Sequence, residues 1–167
     1  MNWVVEALDR SHDRTTFDCG EVSLNDFIIK FSTQYSKKRV GKTYVLVAEG
    51  QKLVLGYYTV AAYSIDFEEW PEDLSKKLPR HPISVILLGR FAVDRTLQGQ
   101  GQGKFLLHDA LTRCLAAQDI IGVHAVFVDA IDAKAATFYA RFGFSPLKNN
   151  PLKLYLRIET IEKSRGV

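Results

Sequence analysis

Three glycines alternate with glutamine in Gln98-Gly99-Gln100-Gly101-Gln102-Gly103-Lys104. Glycine lets backbone amides approach a ligand closely and adopts angles that other residues resist. An apolar run, Ser84–Val93, comes just before this segment. A helical pattern carrying Phe105, Leu106, Leu107, Leu111, Cys114 and Leu115 comes just after it. A helix start adds N–H groups without intrahelical acceptors and a partial positive charge, which suits phosphate oxygens. The same residues also fit a plain tight turn from strand to helix. A P-loop needs four residues between its glycines and then Gly-Lys-Ser/Thr. Here Gly99 and Gly103 have three between them and Phe105 follows Lys104, leaving no hydroxyl for magnesium. The dinucleotide fingerprint Gly-x-Gly-x-x-Gly fails as well, because these glycines are spaced by two throughout. What stays in register is Gln-x-x-Gly-x-Gly over Gln98, Gly101 and Gly103.

The cations form a second group of interest. Residues 30–42 carry Lys30, Lys37, Lys38, Arg39 and Lys42 and no acid. Lys76, Lys77 and Arg80 lie beside the apolar run, and Arg90 lies within it. A nucleic-acid backbone is bound largely through such residues, with salt-dependent affinity. The alternative is a solvated helix end, where cations favour the negative pole of the macrodipole. His81, His108 and His124 have no assigned role and read as surface residues.

The elements that must position these groups follow from composition and pattern. The chain has 167 residues, a net charge of +3 and 47% hydrophobic residues, enough for one domain with a core of its own. Two distant cysteines, Cys19 and Cys114, exclude a disulfide framework and metal-spaced thiols, so no metal is expected. No stretch approaches the roughly 18–20 apolar residues of a membrane span, and the N-terminus lacks a basic, apolar leader. A soluble, cytoplasmic protein without a membrane partner is the expectation. Residues 3–8 read as an edge strand. Leu24, Phe27, Ile28, Phe31 and Tyr35 recur at helical spacing, with Ser23 expected as the N-cap. Strands are expected at Thr43–Ala48 and Leu53–Ser64, joined by a Gly50-Gln51-Lys52 hairpin turn. The near-continuous apolar run Ser84–Val93 reads as a central strand. Val123–Val128 reads as a further strand, Ala133–Phe142 as a short helix with Gly143 as its left-handed cap, and Leu152–Ile158 as the strand closing the sheet.

The Gln98–Lys104 loop resembles the pyrophosphate loop of the GNAT superfamily of N-acetyltransferases, which bind acetyl-coenzyme A. Ala135, Ala136, Phe138-Tyr139 and Phe142-Gly143-Phe144 are similar to its coenzyme-facing helix and the turn after it. Phe17-Asp18-Cys19-Gly20 followed by Leu24-Asn25-Asp26-Phe27 resembles the opening of GNAT toxins from type II toxin–antitoxin modules. Pro79-Arg80-His81-Pro82-Ile83 leading into Leu88–Asp94 is similar to the same branch. The resemblance spans roughly residues 3–158.

It implies one GNAT domain over residues 1–167, of the α/β class. Its mixed, mostly antiparallel sheet would have about six or seven strands, splayed in the middle and flanked by about four helices. It places Phe91, Ala92 and Val93 beside the pantetheine arm. Gln98, Gly99, Gln100, Gly101, Gln102, Gly103, Lys104 and Ala136 would complete the acetyl-CoA site. Tyr139 matches the superfamily tyrosine that serves as general acid toward the coenzyme sulfur; an ordinary tyrosine stays protonated at pH 7 and can donate. Asp132 stands where many members carry Asn, and an ionised carboxylate donates no hydrogen bond, so Asp132 is left out of the site. No side chain is an obvious base. An α-amino group has a pKa of about 7.7–8.0 against about 10.4 for lysine, which fits aminoacyl-tRNA as acceptor. Lys30, Lys37, Lys38, Arg39, Lys76, Lys77, Arg80 and Arg90 would then bind tRNA, and acetylation would block translation. The resemblance further implies a ribbon-helix-helix antitoxin, operator DNA contacted only through that complex, and a homodimer. Acetylation of a small amine or a protein N-terminus, or a degenerate acetyl-CoA-binding module, remain the alternatives.

Overall fold

The computed structural model describes residues 1–166. In chain order the elements are β1 (Trp3–Ala7), α1 (Val22–Asp26), a π-helical turn (Phe27–Phe31), α2 (Ser32–Lys37), β2 (Lys42–Ala48) and β3 (Gly56–Ile65). There follow α3 (Glu72–Ser75), β4 (Ile83–Val93), α4 (Gln102–Gln118), β5 (Ala125–Asp129), α5 (Ala133–Ala140), β6 (Ser145–Leu147), β7 (Asn150–Arg157) and α6 (Ile158–Ser164). Seven strands form one mixed sheet in the order β1-β2-β3-β4-β5-β7-β6. The α/β class and the mixed sheet agree with the sequence reading. β4 runs parallel to β5 from Val85–Ala125 to Leu88–Val128, then continues to Val93. The other registers, β1–β2, β2–β3, β5–β7 and β6–β7, are antiparallel.

The chain divides into two compact units, one of Met1–Ala61 with Gly89–Ala110 and one of Ala62–Leu88 with the chain from Leu111. In the first, Phe17, Phe27, Ile28, Val45, Val47, Val54, Tyr57 and Ala92 make the core. The buried Tyr57 hydroxyl donates to the Leu24 carbonyl at 2.7 Å, so its polar atom is satisfied inside an apolar cluster. In the second, Trp70, Ile83, Val85, Ala125, Phe127 and Tyr155 are among the packed residues. β4 lies inside the sheet and is mostly apolar, with Ser84 and Arg90 as its polar residues.

Several local expectations are corrected. The first helix starts at Val22 with Glu21 as N-cap and no capping side chain, so Ser23 is not the cap. Its entry is tied instead by Asn25, which accepts from the Cys19 amide at 2.8 Å and donates to Asp18 at 3.0 Å. The helix also swells into a π turn at Phe27–Phe31. β3 begins at Gly56 rather than Leu53, because Asp13 occupies that stretch. Its amide donates to the Lys52 carbonyl at 2.8 Å and its carbonyl accepts from the Val54 amide at 2.9 Å. The sheet is closed by β6, with β7 one place inside it, and the chain then turns into α6, which the pattern did not announce. Gly143 does take the left-handed conformation, at φ +96°.

Candidate active site

The loop after β4 is shaped by an aspartate. Asp94 is buried, and one carboxylate oxygen accepts from the Thr96 amide and hydroxyl at 3.0 and 2.9 Å. The other accepts from the Asp18 amide at 3.0 Å, which ties the loop to the segment leading into α1. Gln98 continues the brace, its side-chain nitrogen donating to the carbonyls of Val93 and Cys19, each at 2.9 Å. Gln100 donates to the Thr96 carbonyl at 3.0 Å. These two amides are therefore turned onto the chain's own carbonyls.

Gly99 and Gly101 adopt φ +77° and +89°, and a Cβ at either would meet no atom within 4 Å. Backbone angle, not crowding, is what demands glycine there, and the space in front of both stays open. α4 begins at Gln102, with the Phe105 amide donating to the Gly101 carbonyl at 3.1 Å. The first-turn amides of Gln102, Gly103 and Lys104 precede the helical ladder and suit anionic oxygens. The loop thus fits a diphosphate without a metal-binding hydroxyl. At the end of β4, Ala92 is buried in the core while Phe91 and Val93 are half-buried. Cys19, beside the loop, has its thiol pushed up by burial and stays protonated, so it is no nucleophile.

In the second unit, Asp132 caps α5 by accepting from the Ala135 amide at 2.8 Å. That capping role accounts for an aspartate at this position. Ala136 is half-buried on the same helix. Tyr139 is buried, with ring centroids 5.3 Å from Phe138 and 5.4 Å from Phe144. Burial pushes its phenol well above the ordinary value, so the hydroxyl keeps its proton at any physiological pH.

The cations fall into separate environments. Lys37, Lys38 and Arg39 are exposed at the end of α2, and Lys30 is 3.4 Å from Asp26 one turn before it. Arg90 lies over the Phe27 ring at 3.9 Å and near Tyr35 at 5.3 Å. In the second unit, Lys76 and Lys77 are exposed after α3, and Arg80 is 5.8 Å from the Phe67 ring.

The acetyltransferase (GNAT) domain family matches residues 41–146, well over half of the chain and the whole of the β4–loop–α4 and α5 segments just described.

The chain belongs to the GNAT family.

A tRNA-acetylating toxin of Mycobacterium tuberculosis is 38% identical to this GNAT chain over 144 residues, covering 86% of this chain and 85% of that one. The solved structure of AtaT complexed with acetyl-methionyl-tRNAfMet is similar with a TM-score of 0.91 and 34% identity, covering 98% of this chain and 99% of that one. The AtaTR structure bound with AcCoA gives a TM-score of 0.83 at 32% identity, covering 98% of each chain.

Within this GNAT frame, two features escaped the sequence reading. One is the Asp94 brace, which an Asp-x-Thr pattern just past a strand end could have flagged as a capping signal. The other is the aromatic setting of Arg90. Phe27 and Tyr35 recur at helical spacing, and nothing in that spacing pairs them with a residue on a strand more than fifty positions away.

Proposed function

We propose that this GNAT acetyltransferase transfers acetyl from acetyl-CoA to the α-amino group of aminoacyl-tRNA and blocks translation as a toxin. The observation that carries the reading is its likeness, over nearly the whole of both chains, to a solved toxin holding acetyl-methionyl-tRNA. Acetyl-CoA supplies an activated acetyl thioester. The backbone amides of Gly99–Lys104 hold its diphosphate, the end of β4 at Phe91–Val93 pairs with the pantetheine arm, and Ala136 is assigned to the coenzyme as well. Tyr139 donates its phenolic proton to the departing sulfur as the new amide forms. The amine's own proton leaves to water, which an α-amine near pKa 8 permits without a dedicated base.

Lys30, Lys37, Lys38, Arg39, Lys76, Lys77, Arg80 and Arg90 are assigned to the RNA. Residues 1–167 act as one functional domain, as a homodimer in the cytoplasm. A ribbon-helix-helix antitoxin neutralises it, and operator DNA is contacted only through that pair. The test is transfer of labelled acetyl from acetyl-CoA into a pool of charged tRNA, with uncharged tRNA as control. Label on charged tRNA alone is expected. No label on either, with acetyl-CoA still bound, would overturn the acceptor and point to a small amine or a protein N-terminus.

A further inference from the structure

The three glutamines that alternate with the loop glycines all turn their side chains back onto the chain. Gln98 and Gln100 donate to the carbonyls of Val93, Cys19 and Thr96. Gln102, the first residue of α4, lies between a donor and an acceptor that fix the sense of its amide. The Trp3 indole can only donate, and the Gln100 carbonyl can only accept. With the amide assigned in that sense, its oxygen accepts from Trp3 Nε1 at 3.2 Å and its nitrogen donates to the Gln100 carbonyl at 2.9 Å. A trans peptide is planar, so its N–H points opposite to the carbonyl before it. Holding the Gln100 carbonyl therefore aims the Gly101 N–H, one of the amides assigned to the diphosphate. Gly101, at φ +89° with open surroundings, has no side chain to do this for itself.

Trp3 reaches the loop from the edge strand β1. Side chains alternate across a strand, and Val4 packs against the cluster of Phe17 and Tyr57, so half-buried Trp3 takes the other face. On that face a second aromatic donor meets the same helix. Tyr58 of β3 stands in register with Tyr44 and, through it, with Ala7, two alternations along from Trp3. Its hydroxyl donates to Asp109 Oδ2 at 2.7 Å. Gln102 and Asp109 are about two helical turns apart and so lie on one side of α4. Tyr58 ties the helix body to the sheet, and Trp3 ties its first turn. Losing the Trp3 bond would loosen only the end that faces the loop.

We propose that Trp3 is a positioning residue for acetyl-CoA: through Gln102 it fixes the Gln100–Gly101 peptide, and with it an amide that meets the diphosphate. An edge-strand residue far from the loop in the chain thus sets coenzyme affinity. The inference rests on the reading that the Gly99–Lys104 amides hold the diphosphate.

The test is calorimetric titration with acetyl-CoA and with acetyl-pantetheine, which carries the same thioester arm and no diphosphate. The weaker ligand is measured in competition with acetyl-CoA. The wild-type protein should bind acetyl-CoA tighter by about tenfold or more, as charge-assisted bonds to the diphosphate require. Trp3→Phe keeps an aromatic ring and removes the donor. It should weaken acetyl-CoA about fivefold, the size of one ordinary hydrogen bond, and leave acetyl-pantetheine and the melting temperature near wild type. A fold that merely loosened would lose both ligands alike. Gln102→Met should weaken acetyl-CoA by at least as much, and adding Trp3→Phe to it should change nothing further. Full acetyl-CoA affinity in folded Trp3→Phe, equal losses for both ligands, or additive losses in the double variant would overturn the proposal. If Trp3→Phe does not fold, Gln102→Met decides: a loss confined to acetyl-CoA upholds the proposal, and full affinity sinks it. Equal wild-type affinities for the two ligands would instead remove the diphosphate reading on which the proposal stands.

Discussion

The side-chain nitrogen of Gln98 donates to the carbonyl oxygen of Val93 at 2.9 Å, tying the glycine loop back to the strand it leaves. A second bond of equal length, to the Cys19 carbonyl, makes the same amide a clamp on two chain segments. Gly99 and Gly101, with left-handed φ values and open surroundings, have little else to hold them. Each ordinary hydrogen bond contributes about 0.5–1.5 kcal/mol, so losing both matters to a loop more than to a core. Gln98→Ala should weaken acetyl-CoA binding by roughly tenfold with little change in melting temperature. Calorimetric titration with acetyl-CoA decides this, and an unchanged Kd would show that the loop keeps its shape without the clamp.

Tyr139→Phe removes one oxygen and keeps the ring packing against Phe138 and Phe144. Positioned proton donors are worth about 10²–10⁴ in rate. Turnover should therefore fall by about a hundredfold or more, while acetyl-CoA affinity and melting temperature stay near wild type. A variant that turns over normally would remove Tyr139 from the chemistry.

The pH dependence follows from the same residue. Burial raises the Tyr139 phenol above the ordinary tyrosine value of about 10, so its donor form persists as pH rises. The acceptor amine gains its neutral form as pH rises through about 8. The kcat/KM profile should thus climb from pH 6 to 9 and level off, with no alkaline fall below about pH 10. A decline beginning near pH 8 would mean that some other acid is essential.

Lys37, Lys38 and Arg39 are exposed and close together in sequence at the end of α2. Changing all three to glutamate should raise KM for charged tRNA by at least about tenfold at low salt. The difference should shrink at high salt, because the contacts are largely counterion release. Steady-state assays at two ionic strengths would reveal it. A KM unaffected by the triple change would favour the solvated-helix-end view of these residues.

The sequence alone determined the sheet's class, most strand positions and the glycine loop. Each rests on a local rule: β4 is mostly apolar, as a strand inside a sheet tends to be, and the loop's glycines are needed for left-handed φ at Gly99 and Gly101. It also set Tyr139 on a short helix ended by Gly143, since helical spacing and a left-handed cap are read from neighbours. Only the tertiary structure decided which side chains serve which purpose. Ser23 was expected to cap the first helix, yet Asn25 and Asp18 tie its entry through bonds to the preceding loop. β3 was shortened by Asp13, a residue some forty positions earlier. Gln98 donates to the carbonyls of Cys19 and Val93, and Arg90 lies over Phe27 and Tyr35. These are contacts between residues far apart in the chain. Propensity and periodicity depend on near neighbours, so they fix the elements, while long-range pairing depends on how those elements pack.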